Sequence, residues 1–210
     1  MQTLEIRQPV REVVHRTKGH TSGPITRLVS PSSLGELIKP FVFLDLAVFD
    51  GGPRIPMERL WHPHSGIATV TVMLEGGVRF PIAAPPMTYL LVGLKDGERW
   101  TYQPAQGHDV AWVAVSDGLL RTSSRIPAGE IAIFEPSEEP IDFLAHGATR
   151  FVIGSAAKHP HDLVLGNYSV HTSEAALGQG ESEIRRIREE LHTDGTVRRG
   201  ARYASEPAHE

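Results

Sequence analysis

Prolines and glycines interrupt short apolar runs along most of this 210-residue chain, and this punctuation most constrains the fold. The sequence holds 16 prolines and 20 glycines, residues that mark turns and end helices. Short apolar runs bounded by such residues are typical of β-sandwiches and β-barrels rather than of helix bundles. We therefore predict an all-β fold for all but the C-terminal part of the chain.

Eight segments have the composition of strands, and most of them alternate apolar and polar residues as a half-buried strand does. Turn signals separate them, among them SDG at Ser116 and AHGA at Ala145. The predicted strands are Phe41–Phe49, Ala68–Leu74, Thr88–Leu94, Arg99–Pro104, Asp109–Ser116, Glu130–Glu135, Pro140–Ala145 and Thr149–Ser155.

The pattern changes to that of a helix near the C-terminus, in SEAALGQGESEIRRIREELH from Ser173. Gly178 and Gly180 are expected to break or delay its first turns. An apolar stripe at helical spacing is expected to pack on the β body, with binding of a partner as the alternative. The polar tail after residue 192 is predicted to be frayed. The stripe consists of Ile184, Ile187 and Leu191.

Charge and composition exclude several classes of function. The net charge of −4 gives no basis for a nucleic acid or an anionic membrane as the main partner. No apolar run approaches the length of roughly 18 residues that a membrane span requires. The absence of cysteine removes disulfides and thiolate ligands and is consistent with a reducing compartment. We expect a cytoplasmic protein.

The triplet His-Pro-His occurs twice, at His62–His64 and again at His159–His161. Residues two apart in an extended segment point to the same face, so both imidazoles of a triplet can aim at one metal ion. Imidazole suits Fe(II), Mn, Ni, Cu and Zn, and the pair alone does not choose among them. A loop whose two histidines form local hydrogen bonds is the alternative interpretation.

Three segments, PFVFLDLAVFDGG from Pro40, HPHSGIATVTVMLEG from His62 and HPHDLVLGNYSVHTSEA from His159, resemble the pirin family of the cupin superfamily. The resemblance extends from about Val13 to Leu191. Pirins have two cupin β-barrel lobes, and a metal, usually iron, is bound in the N-terminal lobe. The resemblance therefore implies that His62 and His64 are the first two metal ligands, and that the second triplet is structural.

The chain departs from the pirin pattern after the first triplet. The His-x-Glu pair that supplies the remaining pirin ligands should follow VMLEG, but LEGGVRF leads almost directly into a segment that resembles the second lobe. We therefore predict a cupin-type barrel or sandwich that is a shortened, composite bicupin with a C-terminal helix. Its expected parts are an N-terminal lobe remnant (1–77), C-terminal lobe strands (78–155), a helical segment (156–192) and a tail (193–210).

A third ligand has to come from elsewhere in the chain. His108 begins a strand that is equivalent by pseudo-symmetry to the strand after the first triplet, so it is the best remaining donor if the two strands form opposing walls. His146, in a predicted turn, is a weaker candidate. The predicted metal ligands are thus His62, His64 and His108, and the cofactor is iron or another divalent transition metal, with a metal-free protein as the alternative.

Two functions follow from the resemblance. One is an oxidoreductase of the quercetin 2,3-dioxygenase type, which acts on a flavonol-like aromatic molecule and uses a nearby carboxylate as base. The other is a non-catalytic binding or regulatory protein, with a protein partner or a strand-exchanged homodimer formed through an exposed strand edge. Gly-x-Ser-x-Gly, P-loop and Gly-x-Gly-x-x-Gly motifs are absent from the sequence, so acyl transfer, nucleotide hydrolysis and Rossmann cofactors have no support.

Overall fold

The computed structural model describes residues 11–48, 64–67, 87–167 and 169–193. These residues fall into two compact units, one of residues 11–47 with 87–160 and the other of residues 48, 64–67, 161–167 and 169–193. Strands dominate the first unit, and the one long helix of the described residues belongs to the second. The predicted all-β fold with a C-terminal helix is confirmed, while its cupin type stays a prediction.

The described residues of the first unit form a seven-stranded sheet and a three-stranded sheet. Its strands are β1 (Val13–Thr17), β2 (His20–Ser22), β3 (Ile25–Val29), β4 (Leu44–Ala47), β5 (Met87–Leu94), β6 (Arg99–Tyr102), β7 (Val110–Arg121), β8 (Arg125–Pro127), β9 (Ile131–Phe134) and β10 (Ile141–Ala156). The larger sheet runs β1-β9-β7-β10-β5, with β6 paired to β10 and β8 paired to β7, and the smaller runs β2-β3-β4. Every pairing is antiparallel.

Two predicted turns are bulges inside long strands. The chain continues through Ser116 in β7 and through Ala145 in β10, and the register between these strands shifts after His146. Gly118, at a φ of +76°, meets the bulge of β10 so closely that a Cβ there would lie 2.5 Å from the carbonyl oxygen of Ala148. Both turn predictions were therefore wrong, because a glycine with positive φ also forms a bulge, and bulges bend a strand without ending it.

Side chains fill the inner face of the larger sheet. Trp100 stacks on Phe143, with the ring centroids 5.7 Å apart and the planes 17° apart, and Phe143 also contacts Phe151 at 5.3 Å. All members of this cluster come from strands of this one sheet, which therefore curls over its own apolar face. The buried members are Leu94, Tyr102, Ala111, Val113, Val115, Leu120, Ile126, Ala132, Phe134, Ile141, Phe143, Ala145, Phe151 and Ile153.

The smaller sheet covers part of the opposite face, together with a π-helical turn (Pro31–Gly35) and α1 (Glu36–Ile38). Trp112 of β7 is fully buried there and contacts the rings of Phe41 and Tyr89 edge to face at 5.5 and 5.7 Å. Gly154, directly opposite Trp112, makes room for the indole, since a Cβ would lie 2.4 Å from it. The described sheets are open, and the two layers pack as a sandwich.

The described residues of the second unit include a hairpin and a helix. β11 (Val164–Gly166) pairs with β12 (Ser169–His171), and α2 (Glu174–Thr193) follows. The helix runs unbroken through Gly178 and Gly180, so the expected break is wrong, and close packing at Gly180 compensates for its low helix propensity. Ile187, which belongs to the predicted apolar stripe of this helix, is 42% exposed. No helix in the described parts of the chain combines the length and apolar character needed to cross a membrane.

Candidate functional site

The three predicted metal ligands are differently placed. His62 lies outside the described residues. His64 is described, is exposed and belongs to the second unit, whereas His108 is 7% exposed and belongs to the first. Within the described ranges, no three side chains of His, Asp or Glu gather into a metal-binding group. The described residues therefore do not by themselves supply a complete donor set for a metal.

The backbone that follows His64 is fixed against β12. The carbonyl oxygen of Ser65 accepts a hydrogen bond from the N–H of Val170 at 3.1 Å, and Ser65 forms a parallel bridge with Ser169. Gly66 turns the chain with a φ of +76°, and a Cβ there would lie 1.9 Å from the carbonyl oxygen of Val170. This segment thus approaches β12 more closely than any residue with a side chain could.

A side-chain contact adds to this anchoring. The Oγ of Ser65 lies 2.9 Å from Nε2 of His171, and both residues are half-buried. Helix α2 comes so near that a Cβ at Gly180 would lie 2.2 Å from that Oγ and 2.7 Å from that Nε2. The glycine that the sequence pattern marked as a helix breaker is therefore the residue that lets the helix pack on this pair.

His108 forms part of a buried hydrogen-bonded chain. Its Nδ1 lies 2.9 Å from the Oγ of Ser155, and the same Oγ lies 2.7 Å from the hydroxyl of Tyr102. The exposed fractions are 7% for His108, 5% for Tyr102 and 0% for Ser155. One hydroxyl thus satisfies two buried polar groups, and the imidazole is held at the edge of the filled inner core.

Arg11 is buried beside this chain of hydrogen bonds. Its Nε donates to the carbonyl oxygen of Glu135 at 2.9 Å, and its Nη2 donates to that of Asp109 at 2.6 Å. Nη1 has no hydrogen-bond partner among the described residues. Burial lowers the pKa of Arg11, and the charges of Glu135 and Asp109 oppose that effect. The guanidinium thus links the residue that precedes β1 to Asp109, just before β7, and to Glu135, just after β9. These bonds hold the start of the N-terminal strand in place.

The remaining histidines considered as donors have other surroundings. His146 lies within β10 beside the bulge and is exposed, so it is not in the turn that the sequence suggested. In the second triplet, His159 donates its backbone N–H to the carbonyl oxygen of Lys39 at 3.2 Å. Sequence reasoning missed Ser155, Tyr102 and Arg11. Of these three, only Ser155 carries a sequence signal, because it is a polar residue at a strand position where alternation places an apolar one.

The chain matches no family model and no curated protein. Among solved structures, it is similar over 49% of its length to a 1.88 Å crystal structure of quercetin 2,3-dioxygenase from Acinetobacter baumannii, with 19% identity and a TM-score of 0.42. A 1.78 Å crystal structure of quercetin 2,3-dioxygenase from the same organism aligns with 52% of the chain, with 10% identity and a TM-score of 0.43. The aligned part spans 36% of each of those two chains.

Proposed function

We propose that this chain is a pirin-like cupin that binds a divalent transition metal, iron foremost, through His62 and His64, and that it acts as an oxidoreductase of the quercetin 2,3-dioxygenase type. The observation that carries the proposal is the fixed backbone directly after His64, held by Ser65 and Gly66 against β12. A metal ligand is effective when its backbone and orientation are set before the metal arrives. The backbone on the C-terminal side of the first triplet is fixed in this way.

The hydrogen bond to Ser155 uses only Nδ1 of His108 and does not exclude this residue as a metal ligand, because a metal-bound imidazole commonly hydrogen-bonds through its other nitrogen. The other donors have to come from residues outside the described ranges or from a second chain. In such a site the metal supplies Lewis-acid activation of the substrate. The contribution of this chain is to hold two imidazoles on an extended segment, where residues two apart share a face. A flavonol-like aromatic molecule is the substrate class that the family resemblance implies.

A non-catalytic binding protein is the second candidate function. It is favoured by the inner core of the first unit, where aromatic rings pack against one another and occupy the space that a lobe with a substrate pocket leaves open. The partner in that case is another protein or a second copy of this chain that exchanges strands with the first. The two candidates differ in whether bound metal reacts with oxygen and substrate.

The activity test is oxygen uptake and loss of quercetin absorbance, measured together on iron-loaded full-length chain. We expect both signals in the natural sequence and their loss in the His62→Ala/His64→Ala variant. The matched control is His159→Ala/His161→Ala, which removes the same triplet from the other position and should keep the activity. If the natural sequence takes up no oxygen, the oxidoreductase proposal is overturned. Equal rates of oxygen uptake in all three proteins assign the reaction to free iron.

A further inference from the structure

Two neighbouring strands of the first unit, β7 and β8, carry arginines at directly opposite positions on the same outer face. In the antiparallel register, Leu144 of β10 lies opposite Arg121 of β7, which lies opposite Arg125 of β8. The next row along these strands points inward and is fully buried, so Arg121 and Arg125 both point outward. That inner row consists of Ala145, Leu120 and Ile126, each 0% exposed.

Arg121 and Arg125 are like charges at directly opposite positions, so they repel each other. Like charges directly opposite in an antiparallel pair are destabilising, and neither guanidinium forms an ion pair with a described residue. The nearby carboxylate of Glu130 is engaged by Arg16 at 3.2 Å. A local conflict of this kind, in a hairpin that is otherwise well paired, is typical of a functional position.

Hydroxyl groups line the depression between these arginines. It holds about 420 Å³ and is lined by Arg121, Thr122, Ser123, Ser124, Arg125 and His146. The Oγ of Ser123 accepts the N–H of Val13 at 2.9 Å, and that of Ser124 accepts from Arg16 at 3.1 Å. Because a hydroxyl that accepts retains its own hydrogen, both serines can also donate to a ligand.

We propose that this depression binds a phosphate group between Arg121 and Arg125, either as inorganic phosphate or as the phosphate of a small molecule. Two guanidinium forks offer paired N–H donors that match the geometry of phosphate oxygens. The loop hydroxyls add neutral donors, and no carboxylate lines the depression to repel the ligand. The site is independent of the histidine triplets and goes beyond the proposed oxidoreductase function.

A third arginine provides a matched control. Arg99 of β6 lies opposite Leu144 on its other side, so it shares the outer row but does not line the depression. Replacing it removes the same charge from the same face. A difference between Arg99 and the two proposed ligands therefore distinguishes a defined site from a diffuse positive surface, for which all three arginines are equivalent.

The test is a calorimetric titration of the full chain with inorganic phosphate, and separately with phenyl phosphate, at low ionic strength. We expect saturable binding that Arg121→Gln and Arg125→Gln each weaken by at least about tenfold and Arg99→Gln by less than about threefold. Tighter binding of phenyl phosphate assigns the site to a phosphorylated small molecule, and equal or weaker binding assigns it to the free anion. Either result supports the site.

A charge-reversal variant keeps the proposal testable even if the glutamine variants fold poorly. Arg125→Glu places a carboxylate opposite Arg121, so it should abolish phosphate binding while it raises the melting temperature measured without phosphate. No saturable heat with either ligand overturns the proposal. Equal weakening by all three glutamine variants also overturns it. So does binding of single-stranded DNA that is tighter than binding of phosphate and depends on Arg99. Both results indicate a diffuse surface that binds polyanions.

Discussion

At the scale of single residues, the histidines of this chain divide by what surrounds them. His64 belongs to a motif that the local sequence reveals, because two histidines of one extended segment suffice to recognise it. The bond between His108 and Ser155 joins residues that are 47 positions apart, and only the register of β10 against β7 brings them together. For this reason the sequence predicted His108 as a donor but did not predict its partner.

Ser155→Ala tests the buried chain of hydrogen bonds. It leaves Nδ1 of His108 and the hydroxyl of Tyr102 without their shared partner, so we expect the free energy of unfolding to fall by about 2–4 kcal/mol, from about 1–3 kcal/mol for each orphaned buried group. Tyr102→Phe alone should cost less, and in the Ser155→Ala background it should restore part of the loss. Chemical denaturation of the four proteins measures this coupling, and strictly additive losses contradict it.

Tyr89 makes stability depend on pH in the alkaline range. Burial raises the pKa of Tyr89 to about 12, whereas an unfolded tyrosine ionises near pH 10. Between these values the unfolded state binds fewer protons than the native state, so stability falls as pH rises from about 10 to about 12, by up to about 3 kcal/mol from this residue. Tyr89→Phe should remove this part of the loss in denaturation curves. Parallel pH profiles for the two proteins would refute the assignment.

At the scale of elements, alternation predicted β5, β6 and β9 closely and also the C-terminal helix. It missed β1, whose sequence VVHRT is mostly exposed and which is held by its pairing with β9. It divided β10 into two strands because AHGA has the composition of a turn. Sequence pattern identifies a glycine that needs positive φ, but long-range pairing decides whether that glycine ends a strand or bends it.

The close approach of Gly118 in β7 to the bulge of β10 can be tested with two glycines of positive φ. Gly118→Ala meets the backbone of the partner strand at 2.5 Å, whereas Gly97→Ala, at a similar φ of +72°, has no atom within 4 Å. Both variants carry the conformational cost of about 1–2 kcal/mol, so the difference between them isolates the contact. We expect Gly118→Ala to lower the melting temperature clearly more than Gly97→Ala. Equal decreases would mean that the bulges do not depend on this close approach.

At the scale of the whole chain, the described residues divide between a β-rich unit with a packed interior and a smaller unit that carries the residue ending the first triplet. The fold class could be predicted because punctuation and alternation are properties of local sequence. A complete metal donor set could not be predicted, because the segments that follow the first triplet depart from the pirin pattern that the triplet resembles. The proposed metal site therefore rests on the first triplet alone.

The metal content of the purified protein tests whether the first triplet binds a metal. Elemental analysis after purification and dialysis should find close to one equivalent of a transition metal in the natural sequence and in the His159→Ala/His161→Ala variant. The His62→Ala/His64→Ala variant should contain almost none while it keeps the same far-ultraviolet circular dichroism. A protein that contains no metal, or metal that persists in the His62→Ala/His64→Ala variant, would contradict metal binding by the first triplet.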